Sequence, residues 1–165
     1  MEYLQKLVND YQPTEATKQL VASTRIALFA GISGAGKNTI KQAMIGDGAV
    51  FHDIVSHTTR PPRQNNGVLE VDGRDYHFID NQVAQEMLES KAFVEAKFVH
   101  GTVYGTSVAE IEQAKSQNKV AITDIDVQGV AEMKLLAPDA VSIFIVPPSY
   151  EVWLERLKSR YVSED

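Results

Sequence analysis

The sequence predicts an α/β fold in which a parallel sheet flanked by helices carries a small, mixed α/β lobe inserted near its middle. Three observations point there. Strand-length stretches recur at residues 26–30, 51–56, 119–123 and 141–146, the first an apolar run of the kind buried on both faces. Helical periodicity fills much of the chain between and around them. From residue 57 to residue 107 the texture changes to short, mixed strands between two helical stretches, which marks an insertion. At 165 residues the chain suits one domain with a sizeable core.

The first apolar run leads into Gly31-Ile32-Ser33-Gly34-Ala35-Gly36-Lys37-Asn38-Thr39. Gly31, Gly34 and Gly36 permit backbone conformations closed to other residues, so successive N–H groups can point into one concavity. The start of a helix adds partial positive charge there, and Lys37 adds a full one. The spacing is that of the P-loop, G-x-x-x-x-G-K-[ST], with Asn38 in place of the hydroxyl residue. Such a cup takes the phosphate tail of a nucleoside triphosphate. Its candidate ligands are Gly31, Ser33, Gly34, Ala35, Gly36, Lys37, Asn38 and Thr39. An amide oxygen on Asn38 can still face Mg²⁺, and Thr39 supplies a hydroxyl one residue later.

Composition narrows the partners. A net charge of −6 and a pI near 5.2 argue against a broad nucleic-acid or anionic-membrane surface, so any anion site must be local. Without cysteine there is no disulfide, thiol nucleophile or thiolate metal site. The first residues lack the basic-then-apolar order of a signal peptide, and no apolar run reaches membrane-spanning length. The cytoplasm is the expected location.

Along the chain, Leu4, Leu7, Val8 and Tyr11 recur at helical spacing, Pro13 interrupts, and residues 14–22 resume as helix. Residues 1–22 are thus expected to form a helical extension packed on the domain of residues 23–165, with a partner-binding arm as the alternative. After the glycine loop, residues 39–45 read as helix and Gly46-Asp47-Gly48 as its stop. Arg60 and Arg63, stiffened by Pro61 and Pro62, make either a solvated loop or a fixed fork for a phosphate. Residues 64–67 read as a polar loop and 68–79 as a hairpin turning at Asp72-Gly73. Asp80 can cap a helix carrying Val83, Met87 and Leu88. Residues 92–99 alternate as a strand with Phe93, Glu95 and Lys97 on one side, and residues 101–106 continue as irregular strand or turn. Ser107 with Glu110 forms a capping box. Asp124 and Asp126 follow the third core strand, where ligands of open α/β sheets sit; Asp126 can equally cap the next helix. After Pro147-Pro148, Ser149 can cap a helix with Tyr150, Trp153, Leu154 and Leu157 on one stripe and Arg156 and Arg160 on another.

Together these residues resemble the guanylate kinase family. The likeness is carried by the glycine loop; by Ser56 to Arg63 with Glu70 and Asp75-Tyr76-His77-Phe78; by Phe93-Val94-Glu95 through Tyr104-Gly105-Thr106; by Asp124-Ile125-Asp126-Val127-Gln128-Gly129; and by Pro147-Pro148-Ser149 with Arg156 and Arg160. The resemblance implies a P-loop kinase core with a lobe at about residues 57–107 for the nucleoside monophosphate, and the start of a lid at about 156–165. It implies Mg²⁺-dependent phosphoryl transfer from ATP to GMP or dGMP, with these small molecules as partners. By the same resemblance, Arg60, Arg63, Tyr76 and Tyr104 match ligands of the GMP phosphate, and Ser56, Glu95, Thr106 and Asp126 match positions around guanine. Glu70 matches the acid before the family's D-G turn, Asp124 the acid near the metal, and Arg156 and Arg160 the lid arginines. Lys37, Arg60, Asp124, Arg156 and Arg160 are then the expected catalytic set, with Asn38 and Asp124 toward the metal.

Three features depart from the family: Asn38, a longer loop between Arg63 and Glu70, and an ending at Tyr161-Val162 where the family continues with more lid, another strand and a closing helix. Either the sequence is a fragment or its lid is degenerate; the expected activity is that of the kinase, and the alternative is a truncated or catalytically weak module that binds without turnover.

Overall fold

A computed structural model describes residues 2–46, 48–65 and 67–161, the side chains of Asn65, Arg160 and Tyr161 excepted. The chain opens with α1 (Glu2–Asn9) and α2 (Glu15–Ala22), then β1 (Ile26–Ala30), α3 (Lys37–Ile45) and β2 (Phe51–Asp53). The insertion follows as β3 (His57–Thr58), β4 (Gln64–Asn65), β5 (Val68–Leu69), β6 (His77–Phe78), α4 (Asn81–Glu89), β7 (Phe93–Val99) and β8 (Thr102–Ser107). It returns through α5 (Val108–Ser116), β9 (Val120–Asp124), α6 (Val127–Leu136), β10 (Val141–Phe144) and α7 (Tyr150–Tyr161). No described helix is long and apolar enough to cross a membrane.

The core sheet has the order β10-β1-β9-β2, and every neighbouring pair is parallel. Its alternation feeds two cores. Ile26 and Leu28 of β1 pack with Val21, Ile111, Ala121 and Met133 on one face; Ala27 and Phe29 pack with Ile122 and Ile145 on the other. All five residues of β1 are buried, as a central strand covered on both sides requires. Register pairs Phe29 with Asp124, so the acid lies beside the exit of β1 into the glycine loop.

Caps set the helix starts. Asp80 accepts the amide of Val83 at 2.8 Å, Asp126 that of Gly129 at 2.6 Å and Ser149 that of Val152 at 3.3 Å. The expected capping box at α5 is only half made. Ser107 accepts the amide of Glu110 at 3.4 Å, but the Glu110 carboxylate turns away to the amide of Val55 and to His52 and His77.

The insertion forms a second sheet, β6-β3-β8-β7, and a separate pair, β4-β5. Three expectations for it are corrected. Residues 68–79 are not one hairpin: β5 pairs backward with β4, while β6 pairs in parallel with β3. The reversal falls before Val68, where Gly67 takes a φ of 77°, and this turns part of the expected polar loop into strand. Around Asp72-Gly73 the carboxylates compete with a hairpin ladder: Asp75 accepts the amide of Val71 and Asp72 that of Phe78, both at 2.8 Å. Phe93 does not share a face with Glu95 and Lys97. A register shift between Phe93 and Glu95 sends Phe93 into a core with Ala96 and Phe98, opposite the two charged residues. Finally, residues 102–107 are regular strand.

The helical extension packs on both parts of the molecule. α2 sits against α5 and α6, while α1 sits against α4 and β7, where Leu4, Val8 and Tyr11 join Leu88 and Phe93. Tyr11 also closes the outer edge of β7: its hydroxyl donates to the carbonyl of Phe93 at 2.6 Å and accepts the Phe93 amide at 3.1 Å. Tyr11→Phe strands two buried backbone groups, so it should lower unfolding free energy by about 1–3 kcal/mol, read as an earlier urea midpoint at unchanged slope.

Candidate functional site

Gly31, Gly34 and Gly36 adopt φ values of 147°, 77° and 103°, and wind the loop from β1 into α3. Gly31 is required by contact as well as by angle: a β-carbon there would lie 2.3 Å from the carbonyl oxygen of Ile145. The first helical bond of α3 runs from Ile40 to Gly36, so the amides of residues 37–39 have no partner within the helix and form its positive end. Lys37 folds back over the loop and donates to the carbonyls of Gly31 at 2.7 Å and Ile32 at 3.2 Å. The loop forms one wall of an open cleft of about 1120 Å³.

Below the loop lies a buried cation absent from the sequence-based set. Lys41, one turn beyond Lys37 on α3, places its ammonium 2.8 Å from Asp53 at the end of β2 and 3.0 Å from Asp124 at the end of β9. Burial opposes its charge, but Asp124 and Asp53 outweigh it and hold its pKa above the ordinary lysine value. Among the described residues no group of three or more His, Asp or Glu side chains could hold a metal ion. The Lys41 ammonium already occupies Oδ1 of Asp124, so a divalent ion bound there would have to share the carboxylate with it.

The second sheet faces the loop across the cleft. Ser56, Glu70 and Tyr76 line the far side with Asp124 and Arg156 on the near side. Arg60 is only 8% exposed and is not an open fork: it grips Glu70 through two bonds of 2.8 and 3.1 Å and the carbonyl of Pro61 at 2.8 Å. Its guanidinium lies 5.2 Å from the centre of the Tyr76 ring, which meets Tyr104 edge-on at 6.1 Å. Burial works against the charge on both partners, yet Glu70 holds Arg60 above its usual pKa and Arg60 holds Glu70 below its own. Burial and then Asp124 across the cleft raise the phenol of Tyr76. Arg63 is anchored through its amide on Glu70 at 2.7 Å and extends an exposed side chain.

One strand further, Glu95 pairs in register with Thr106 and accepts its amide at 3.0 Å. Burial raises the Glu95 carboxyl well above the usual range, and bonds from Thr106 and the charge of Lys97 only partly offset that. Lys97 reaches from β7 to α6, 3.2 Å from Glu132 and 3.7 Å from Asp126. Asp126 therefore serves as the helix cap foreseen for it, with its side chain still 67% exposed.

α7 lies over the glycine loop. Trp153 donates to the carbonyl of Ser33 at 2.8 Å, and Arg156 donates to those of Gly34 and Ala35 at 3.3 and 3.2 Å. The backbone of Arg160 belongs to α7, but its side chain lies outside the described residues. The structure thus gathers the loop, Ser56, Glu70, Tyr76, Asp124 and Arg156 around the cleft, with Arg60 and Tyr104 packed behind Tyr76. Glu95, Thr106 and Asp126 sit outside this lining, toward α6.

Lys41 was legible in principle: a lysine four residues after Lys37, on a helix whose inner face meets strand ends bearing Asp53 and Asp124. The cluster of His52, His77 and Glu110 was not, since its members come from three elements with no local spacing. Burial and the neighbouring His77 ring push His57, stacked beside it at 4.6 Å, down to about 4.

Loop, parallel sheet and second sheet across a cleft define a P-loop α/β domain bearing an inserted lobe. A family model described as "Guanylate kinase" matches residues 23–165. The guanylate kinase of Syntrophotalea carbinolica is 43% identical over 131 residues, which cover 78% of this chain and 59% of that protein. That of Schizosaccharomyces pombe is 38% identical over 146 residues, 88% of this chain and 70% of that one. The crystal structure of guanylate kinase from Anaplasma phagocytophilum superposes with a TM-score of 0.59 at 26% identity, covering 87% of this chain and 72% of the other. The chain belongs to the guanylate kinase family. It spans about three fifths of the S. carbinolica relative's length.

Proposed function

We propose that this chain is the nucleotide-binding portion of a kinase that transfers the γ-phosphoryl group of ATP to GMP or dGMP, giving ADP and GDP. The observation that carries this reading is the cleft itself, with a P-loop on one wall, Glu70 and Tyr76 on the other, and Arg60 held by Glu70 behind them. A phosphate oxygen of GMP attacks the γ-phosphorus, the bond to the β,γ-bridging oxygen breaks, and its electron pair leaves with ADP. Such a transfer needs position and neutralised charge more than a covalent group. Residues 57–107 act as the lobe for GMP, and residues 156–165 as the start of the lid.

Lys37 and the loop amides from Gly31 to Thr39 hold the ATP phosphates. Arg63, Tyr76 and Tyr104 hold the GMP phosphate, together with Arg60, which Glu70 fixes in place. Glu95 selects the base: a carboxylate accepts from N1–H and the exocyclic amine of guanine at once, whereas adenine leaves it unpaired. Ser56, Thr106 and Asp126 complete the surroundings of the base, and Arg156 and Arg160 close over the transferred group. Asn38 would face a Mg²⁺ ion carried with ATP, which would supply neutralisation of phosphate charge. These small molecules are the partners, and the cytoplasm is the proposed location.

A coupled assay with ATP–Mg²⁺ and GMP, AMP, UMP or no acceptor tests the reading. Turnover is expected with GMP and dGMP alone. Turnover with another acceptor refutes the assignment of the base, and nucleotide binding without turnover assigns the chain to a binding module.

A further inference from the structure

The structure assigns to Lys41 the role of a built-in cation for Asp124, which keeps that carboxylate from serving as a ligand of a divalent ion at the glycine loop. The inference deepens the proposed reading of the phosphate site and rests on it for its catalytic meaning, though not for its test. The geometry is specific. Lys41 leaves the inner face of α3 with a side chain only 9% exposed, and its ammonium meets carboxylates from two neighbouring strands at 2.8 and 3.0 Å. Gln42, the next residue, donates to the other oxygen of Asp53 at 3.3 Å and fixes that carboxylate to the helix. Asp53 is mostly enclosed, at 19%, whereas Asp124 is 44% exposed and borders the cleft. One partner therefore locks the lysine, and the other is the group through which the lysine affects the site.

A magnesium ion bound by Asp124 would have to share the carboxylate with an ammonium already 3.0 Å from its Oδ1, and the two cations would repel each other across it. Both cations would compete for one carboxylate, and the lysine is covalently attached and desolvated. The glycine loop points the same way, since it carries Asn38 where a hydroxyl ligand is usual. Asp124 then acts as a positioning residue. It and Asp53 hold the Lys41 ammonium beside the glycine loop, where the lysine offsets one of two carboxylate charges that would otherwise oppose an anionic triphosphate. Any divalent ion used in turnover is carried by the nucleotide's own phosphates.

The test uses Mn²⁺ alone, followed by electron paramagnetic resonance on the full chain without nucleotide. The original protein should show no site assignable to Asp124, so Asp124→Asn should leave its weak Mn²⁺ binding unchanged. Lys41→Gln, which keeps a donor but removes the charge, should tighten Mn²⁺ binding about tenfold or more, and adding Asp124→Asn should erase the gain. Lys41→Arg should behave as the original. Thermal unfolding checks that each variant is folded. If Lys41→Gln does not fold, the Asp124→Asn comparison in the original background decides. Mn²⁺ binding in the original that Asp124→Asn abolishes overturns the proposal, as does a folded Lys41→Gln with unaltered affinity. Failure of the chain to bind ATP would refute the phosphate-site reading and leave the Mn²⁺ result standing.

Discussion

Lys37→Ala lowers kcat/KM for ATP by about two to three orders of magnitude and leaves GMP affinity within about twofold. Two losses combine. The ammonium is a full charge directed at the triphosphate, and it also ties the carbonyls of Gly31 and Ile32 at 2.7 and 3.2 Å. Without it the loop loses both its charge and the strut that keeps its amides convergent. Gly31 cannot compensate by moving, because it already lies against the carbonyl of Ile145. Calorimetric titration with each nucleotide separately reads the split. A fall in GMP affinity alone would mean that the phosphate cradle has been assigned to the wrong nucleotide.

Glu95→Gln lowers the preference for GMP over AMP by about 100-fold while ATP binding stays as it was. A neutral amide offers one acceptor and one donor pair where guanine needs two acceptors. Acidity gives a second readout. Burial raises the Glu95 carboxyl, so its ionised form is lost as pH falls through a value above the ordinary carboxylate range. GMP affinity of the original protein should therefore weaken on mild acidification, and the Gln variant should lack that limb. The same shift has a stability consequence of opposite sign. A carboxyl with a higher pKa folded than unfolded is a burden once ionised, so Glu95→Gln should unfold at a higher temperature at neutral pH. A variant that loses selectivity and stability together would count against the role.

Much of this architecture is written in local pattern. β1 follows from a uniform apolar run and the other parallel strands from strand-length stretches of mixed composition, and the starts of α4, α6 and α7 follow from Asp80, Asp126 and Ser149, because a cap acts within three residues of itself. The loop that holds Lys37 follows from glycine spacing alone. What escaped depends on partners distant in sequence. The path from Asp72 to Phe78 is set by carboxylates that bond nearby amides more tightly than a hairpin ladder would, and the face of Phe93 by a bulge with no local signature. Arg60 reads as either a solvated loop or a phosphate fork, and no local pattern says that Glu70, ten residues on, holds it in place. Lys41 escaped because surface lysines are common and only the two carboxylates beyond α3 make this one buried. The arginine and tyrosine cluster was named as a set by the family resemblance alone, since local pattern left the arginine pair open and did not single out the tyrosines.

The first leading helix and Tyr11 grip the inserted lobe alone, through α4 and β7, whereas the second touches both halves, α5 and α6 on one side and β7 on the other. The short linker around Pro13 joins the two helices. Should the halves draw together over bound nucleotides, the seam at α2, where Val21 packs with both Ile111 and Val94, must shift with them, and its packing becomes a mechanical load on the stroke. Sequence changes far from any phosphate can thus tune how readily the jaws shut.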